Sequence, residues 1–151
     1  MLYDFLHNAV ERHLIETRPL LLQLDDDLIH SKPTPEVREM GEVALHLLRS
    51  LEYYLRGLSQ EIWESAPYTL EKYGTIESLS DLVEEVFERA MSYMKQLSTS
   101  DLSVTINSFN RPATVGEILL EMLEHSIHHR GQLTVYFRLL GIKPETIAYI
   151  I

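Results

Sequence analysis

Two histidines stand four residues apart, at positions 125 and 129, in a segment rich in helix-forming residues. Residues at i and i+4 share one face of an α-helix, about 5–6 Å apart at Cβ, so both rings can point at one ion. Neutral imidazole is the commonest metal ligand in proteins. The spacing therefore predicts half of a metal site, with His125 and His129 as ligands.

The orientation of this pair in its helix also favours a metal. At about 100° per residue, His129 falls inside the apolar stripe that must face the core, and His125 falls at its edge. The stripe consists of Ile118, Met122, Leu133, Tyr136 and Leu140. A buried imidazole nitrogen without a hydrogen-bond partner costs about 1–3 kcal/mol of stability. A cation shared by the two rings would bind one nitrogen of each and so remove that cost for both nitrogens. Solvent-exposed rings, or buried rings hydrogen-bonded without metal, are the alternatives.

His46, at the margin of the apolar face of an earlier helix, is the expected third ligand. Helical bundles build metal sites from side chains on facing helices. Three imidazoles leave coordination positions free for water or substrate, which is typical of catalytic zinc sites. Carboxylates within a turn of the ligands could orient them or act as a general base: Glu42, Glu121 and Glu124. The candidate catalytic residues are Glu42, Glu121 and His128, which adjoins the site.

The remaining histidines and the aromatic residues lack a comparable pattern. Surface or loop positions are expected for His7, His13 and His30. Four aromatic residues are expected to line the core and a cavity rather than to contact a cofactor: Tyr53, Tyr54, Trp63 and Tyr136.

Length and composition exclude several classes of protein. At 151 residues the chain is predicted to form one domain, residues 1–151, that can bury a core without disulfides. The absence of cysteine excludes a disulfide scaffold, a thiolate metal site and a nucleophilic cysteine. The sequence shows no signal peptide and no apolar run of about 18–20 residues, so a cytoplasmic location is expected.

The formal net charge of −10 bears on the partners of the protein. A negative field repels phosphate backbones and anionic lipids. We therefore expect a small-molecule substrate, and neither a nucleic-acid nor a membrane partner.

Helical periodicity predicts an all-α, antiparallel four-helix bundle. The first helix runs from near Leu2 past His13, with a kink or break at Arg18-Pro19, because the residue before proline resists the α conformation. Thr34-Pro35, a hydroxyl N-cap before proline, starts a second helix that ends near Leu58. The linkers are long enough for one crossing connection.

Turn and capping signals predict the later elements. Ser59–Gly74 is predicted to be a loop, with room for one turn of helix, and a third helix follows from Ser78–Asp81 to near Ser98. A short extended piece is predicted over Leu102–Ile106, and a fourth helix from the capping box Thr114–Glu117 to Leu140. Gly141 follows in the position expected after a helix.

The last helix has a second stripe opposite its histidines, formed by Leu120, Leu123, Ile127, Gly131 and Thr134. Glycine in mid-helix costs about 1 kcal/mol relative to alanine, so a close helix approach is expected at Gly131. One hypothesis is a two-fold partner that forms a homodimer on this stripe. The alternative is that the apolar tail Ile147–Ile151 folds back over it.

The residues around these histidines resemble the DinB-like family of metalloenzymes, also called YfiT-like and DNA-damage-inducible. The matching segments are the helix Gly41–Leu48 around His46, the run His125-x-x-His128-His129-Arg130-Gly131-Gln132-Leu133, and the flanking segments Tyr53–Leu58 and Tyr136–Gly141. The resemblance covers about Pro35–Gly141 and is weakest before Glu36.

The resemblance implies a four-helix bundle with a three-histidine divalent metal site, often in dimers. Carried over to this chain, the ligands are His46, His125 and His129. The metal is usually zinc or nickel in that family, and three imidazoles are also compatible with iron, manganese or copper. Family members include transferases that join low-molecular-weight thiols to electrophiles, and a thiol-dependent isomerase.

Three functions therefore compete. The first is a metal-dependent enzyme, with a thiol-dependent S-transferase favoured over a hydrolase because of the resemblance; its thiol must be an external molecule, since the chain has no cysteine. The second is a non-catalytic, metal-stabilised stress-response or small-molecule-binding protein. The third is a protein without metal, in which the histidines are buried and hydrogen-bonded.

Overall fold

Four long helices form the bundle, in a computed structural model that describes residues 1–107 and 111–148. They are α1 (Leu2–Leu22), α3 (Met40–Gln60), α4 (Ile76–Gln96) and α5 (Val115–Leu139), with the single-turn α2 (Asp26–Ile29) before α3. The short antiparallel strands β1 (Thr105–Ile106) and β2 (Ala113–Thr114) pair before α5. The predicted all-α, four-helix class is confirmed. No helix in the described ranges is both long enough and apolar enough to cross a bilayer.

The helices pack so that α1 and α3 each contact both α4 and α5. Helices α1 and α3 therefore lie diagonally opposite each other in the bundle, and so do α4 and α5. The connections from α1 to α3 and from α4 to α5 both cross the bundle, whereas the linker lengths suggested one crossing connection. Five leucines of α3 are fully buried: Leu45, Leu47, Leu48, Leu51 and Leu55. Each such burial is worth about 1.5–3 kcal/mol before entropy is counted. This core holds α3 firmly against α5, the two helices that carry the predicted ligands.

Helix α1 continues through Pro19 to Leu22, so of the kink or break predicted at Arg18-Pro19 the break does not occur. Proline lacks an N–H and removes the bond to the carbonyl of Ile15, but Ile15 lies on the solvent-exposed side of the helix. Leu20 and Leu21 are fully buried. Their burial extends the helix past the proline.

Helix α3 begins at Met40, five residues later than the Thr34-Pro35 signal predicted, and so corrects that start. Those two residues instead open a turn, in which the amide of Val37 donates to the carbonyl of Thr34 at 3.5 Å. The amide of Met40 donates to the carbonyl of Ser31 at 3.0 Å, which fixes where α3 starts.

Each of the last two long helices begins at a capping box formed by residues of its own first turn. Thr75 and Ser78 form a capping box that starts α4 at Ile76, slightly before the predicted Ser78–Asp81. The box of Thr114 and Glu117 at α5 is confirmed. Gly141 follows α5 with φ +78°, as expected for a residue after a helix. Of the predicted extended piece Leu102–Ile106, only the last two residues form a strand.

The segment between α3 and α4 has no helix or strand, as predicted, although α3 extends to Gln60. Tyr68 of this segment is buried, and its hydroxyl donates to Glu52 of α3 and accepts from Arg89 of α4 at 2.8 Å. Arg89 also donates to Glu52 at 2.8 Å. The cluster attaches the segment to both helices.

Candidate metal centre

Three imidazoles meet where α3 packs against α5. The Nε2 atom of His125 lies 3.3 Å from the Nε2 atom of His46 and 3.3 Å from that of His129. One ligand atom from each residue lies within 4.8 Å of the others, so the cluster could hold a metal ion. The structure thus brings together the three side chains that the sequence predicted as ligands.

Burial keeps the three rings neutral. Desolvation is the main cause that lowers the pKa of His46 to about 4, and electrostatic interactions with His129 and Arg38, which disfavour a second positive charge, lower it further. Desolvation also lowers the pKa values of His125 and His129, although the hydrogen bond that His129 donates to the amide oxygen of Gln132 partly opposes the lowering at His129. At neutral pH each ring therefore keeps a nitrogen lone pair, which is the form that binds a metal.

Gln132 selects the nitrogen that His129 presents to the cluster. Its amide nitrogen donates to the hydroxyl of Tyr136 at 3.0 Å, which turns the amide oxygen Oε1 towards Nδ1 of His129 at 2.9 Å. Because a carbonyl oxygen only accepts, Nδ1 of His129 carries the hydrogen and Nε2 carries the lone pair. Such outer contacts orient metal ligands and fix their tautomer. Gln132 was part of the sequence motif but was not predicted to have this role.

The donor set fits a divalent cation. Nε2 of His125 faces two other Nε2 atoms but can carry only one hydrogen, so it cannot donate to both. Two nitrogens bound at about 2.0–2.1 Å to a tetrahedral zinc lie about 3.3–3.4 Å apart, which matches both separations. A cation accepts all three lone pairs at once. Nδ1 of His125 is buried without a hydrogen-bond partner among the described residues.

The part of the chain that the structure describes offers the cluster three candidate ligands. Within residues 1–107 and 111–148, no aspartate, glutamate or further histidine joins His46, His125 and His129 in the group. Three protein ligands leave at least one position for water or substrate, as in catalytic zinc sites. A metal ion held by these three ligands alone would therefore be open to water or substrate.

The candidate catalytic side chains have different surroundings. Glu42 forms an ion pair with Arg49 at 2.5 Å, and the exposed Glu121 forms one with Arg111. His128 is exposed, and its ring centroid lies 5.0 Å from that of His129. His128 alone of these three combines contact with a ligand ring and access to water. Glu124 is exposed.

The four aromatic residues divide into two groups. The ring of the half-buried Tyr54 lies 6.3 Å from that of His125, and Tyr136 is buried beside Gln132, so both line the candidate centre. Tyr53 instead packs on Trp63, with centroids 5.5 Å apart. Trp63 covers Gly57, where an added Cβ would lie 2.2 Å from its ring.

His13 corrects a prediction, because it is buried rather than on the surface or in a loop. It is 2% exposed and contacts Ser126 and Arg130 of α5. The missed signal was its spacing, since it lies three residues after the buried Val10 on the apolar stripe of α1. His30 is exposed as expected and contacts the carbonyl of Gly74 at 2.9 Å.

The second stripe of α5, opposite its histidines, is partly exposed to solvent. Leu120 is 49% and Ile127 is 40% exposed, and an added Cβ at Gly131 would meet no described atom within 4 Å. The close helix approach expected at Gly131 is therefore not found within the described chain. Residues 142–147 line an 870 Å³ groove along this stripe, so the tail runs beside it, while residues 149–151 of the predicted covering segment lie outside the described residues. The homodimer stays a prediction.

Comparisons with known proteins agree with this architecture. The DinB family model matches residues 3–150. Uncharacterized protein YjoA of Bacillus subtilis is 26% identical over 141 residues, which cover 89% of this chain and 90% of that protein. Uncharacterized protein YrdA of the same organism is 24% identical over 130 residues, which cover 83% and 75%.

Solved structures share the fold. The crystal structure of the DinB-like protein YjoA matches with a TM-score of 0.78 and 22% identity, covering 97% of this chain and 99% of that one. A DinB-like protein from Bacillus cereus ATCC 10987 matches with a TM-score of 0.73 and 22% identity, covering 92% and 91%. At these identities the likeness concerns the fold alone.

Proposed function

Because the chain belongs to the DinB family, we propose that it is a metal-dependent enzyme in which His46, His125 and His129 hold one divalent cation. The observation that carries this proposal is the convergence of three neutral imidazoles without a fourth candidate ligand among the described residues. Zinc and nickel are the first candidates, with iron and manganese as alternatives, since imidazole suits all of them.

We infer that the reaction is the transfer of a small thiol to a small electrophile. A divalent metal at the centre supplies positive charge that lowers the pKa of a thiol or a water molecule and so makes a nucleophile available at neutral pH. The chain has no cysteine, so the thiol is an external cosubstrate. The preference for a thiol over water follows from the family resemblance.

The side chains around the centre have complementary roles in this proposal. Gln132 holds His129 with its lone pair towards the cluster. The ring of Tyr54 lies 6.3 Å from that of His125, where it would line the space open to a substrate. His128 is exposed and contacts His129, so it is the best placed of the candidates to pass the thiol proton to solvent.

The test uses L-cysteine as the thiol and monochlorobimane as the electrophile. A sulfur–carbon bond forms, the carbon–chlorine bond breaks, and the proton and chloride are released to water. We expect the zinc- or nickel-loaded protein to accelerate the fluorescent conjugation over the uncatalysed reaction. Chelation, or the change His129→Ala, should abolish the acceleration.

The matched control is His30→Ala, because His30 is an exposed histidine outside the cluster and its variant should retain full activity. Equal conjugation rates for the wild type and His129→Ala would contradict the proposal. Metal-dependent hydrolysis of an ester, without thiol transfer, would instead support a hydrolase. Metal binding without either reaction would support a non-catalytic protein.

A further inference from the structure

A buried polar cluster joins α1 to α5 beside the ligand-bearing turns. We call it the α1–α5 polar cluster; its members are His13, Glu16 and Thr17 of α1 and Ser126 and Arg130 of α5. His13 is 2%, Ser126 1% and Arg130 3% exposed. Ser126 directly follows the candidate ligand His125, and Arg130 directly follows His129. The cluster is therefore attached to the same two turns as the ligands.

Two contacts cross from one helix to the other through His13. Its Nε2 atom lies 2.6 Å from Oγ of Ser126, and a guanidinium nitrogen of Arg130 lies 3.0 Å from its Nδ1 atom. Arg130 also pairs with Glu16 at 3.1 Å. Thr17, by contrast, has both of its contacts within α1: its hydroxyl donates to the carbonyl of His13 at 2.6 Å, and the same oxygen lies 3.3 Å from Nδ1 of His13.

The contacts fix the tautomer of His13 and exclude nucleophilic chemistry at Ser126. A guanidinium only donates, so Nδ1 of His13 accepts from Arg130 and Nε2 carries the hydrogen. That hydrogen points at Ser126, whose oxygen accepts it. The nitrogen of His13 that faces Ser126 thus has no lone pair with which to deprotonate it, and the lone pair on Nδ1 accepts from Arg130. The pair connects two helices and does not form a serine–histidine catalytic pair.

We propose that His13, Ser126 and Arg130 are positioning residues for the metal centre, because their contacts fix the rotation of α5 so that His125 and His129 face His46. Metal constellations require positions held within about 0.5 Å and 10–20°. A rotation of α5 would separate Ser126 and Arg130 from His13 and leave buried polar groups unpaired. This inference rests on the proposed metal binding.

The first test compares two variants that each lose one hydroxyl in contact with His13. Ser126→Ala removes a contact between the helices, whereas Thr17→Val removes a contact within α1 and is the matched control. We expect Ser126→Ala to raise the dissociation constant for Zn²⁺ about tenfold, at the low end for residues that support metal ligands, and to change the visible spectrum of the Co²⁺ form. Thr17→Val should leave both unchanged.

A second pair of variants tests His13 by rescue. His13→Leu removes both contacts, whereas His13→Gln keeps an amide N–H for Ser126 and an amide oxygen for Arg130. We expect His13→Leu to weaken Zn²⁺ binding by more than tenfold and His13→Gln to restore most of the affinity. Where His13→Leu does not fold, Ser126→Ala and His13→Gln still decide the question.

The outcomes separate this inference from the proposed function. If the wild type binds Zn²⁺ and Ser126→Ala binds it as tightly, with an unchanged Co²⁺ spectrum, the positioning role is overturned and the metal proposal stands. If Thr17→Val weakens binding as much as Ser126→Ala does, the effect is one of general stability and the positioning role is likewise overturned. If the wild type does not bind Zn²⁺ or Co²⁺, both proposals fail.

Discussion

Gln132 controls the chemistry of one candidate ligand through a single hydrogen bond. Its amide oxygen accepts from Nδ1 of His129, and Tyr136 holds the amide in that orientation. Without this contact the ring of His129 can rotate or present the other tautomer. The affinity of the proposed metal centre should therefore depend on a residue that does not contact the metal.

We predict that Gln132→Leu raises the dissociation constant for Zn²⁺ by about 10–100-fold, because His129 loses the contact that orients it. Competition with a chromophoric chelator measures this constant. The control is Thr134→Val, also on α5, whose hydroxyl bonds the carbonyl of Arg130 within the helix and should not affect binding. An unchanged affinity in Gln132→Leu would contradict the orienting role.

The stability of the metal-free protein should fall below pH 6.5. Desolvation, with a smaller effect of Arg130, lowers the pKa of His13 from 6.5 to about 3. Between these values the unfolded chain binds a proton at His13 that the folded chain does not, so stability decreases as the pH falls. One such group contributes a slope of about 1.4 kcal/mol per pH unit.

The variant His13→Gln should therefore show a flatter pH dependence of the free energy of unfolding than the wild type. Urea unfolding of the chelator-treated proteins, from pH 6.5 downwards, measures the difference. Identical slopes in the two proteins would show that His13 is already protonated in the folded state.

At the scale of helices and loops, two glycines inside helices have opposite surroundings. In α3, a Cβ on Gly57 would lie 2.2 Å from the ring of Trp63, whereas a Cβ on Gly131 in α5 would meet nothing described within 4 Å. We predict that Gly57→Ala destabilises the fold by about 1–3 kcal/mol, because Trp63 must move. Gly131→Ala should stabilise it by up to about 1 kcal/mol.

Urea unfolding of both variants beside the wild type measures these changes, and each glycine is the control for the other. Destabilisation by Gly131→Ala would indicate that something outside the described residues packs on this glycine, such as a second copy of the chain.

The sequence predicted elements well where the signal is local. The capping box of Thr114 and Glu117 starts α5 as expected, because it needs only residues within one turn. The break at Pro19 was wrong because the burial of Leu20 and Leu21, which depends on the whole bundle, outweighs one missing hydrogen bond. The predicted start of α3 was wrong because the amide of Met40 is hydrogen-bonded to the carbonyl of Ser31, which lies outside the helix.

In the candidate site too, the features set by local helix geometry could be predicted, whereas those set by the packing of the whole bundle could not. The i,i+4 pair His125 and His129 and the facing His46 could be predicted, because helix geometry and the bundle class place them. The burial of His13 could not, since it depends on how α1 is rotated against α5. The role of Gln132 required its side-chain orientation.

For the whole molecule, a metal at this centre would join α3 to α5 and so contribute to folding. Binding to the folded state alone adds about 2.7 kcal/mol at a free metal concentration of 100 Kd. For a chain of this size that corresponds to roughly 5–10 °C in Tm. We therefore predict that a chelator lowers the Tm of the wild type by this amount.

Differential scanning calorimetry with and without the chelator measures the effect. The variant His46→Ala is the control, because it lacks a ligand from α3 and its Tm should not respond to the chelator. A wild-type Tm that is insensitive to chelation would favour buried, hydrogen-bonded histidines without metal.

The metal content of the purified protein tests the central claim most directly. Elemental analysis by mass spectrometry should find one divalent ion per chain in the wild type and almost none in His46→Ala or His129→Ala, because each change removes one of three converging ligands. Full metal occupancy in either variant, or a wild type that takes up no metal when zinc and nickel are supplied, would contradict the account.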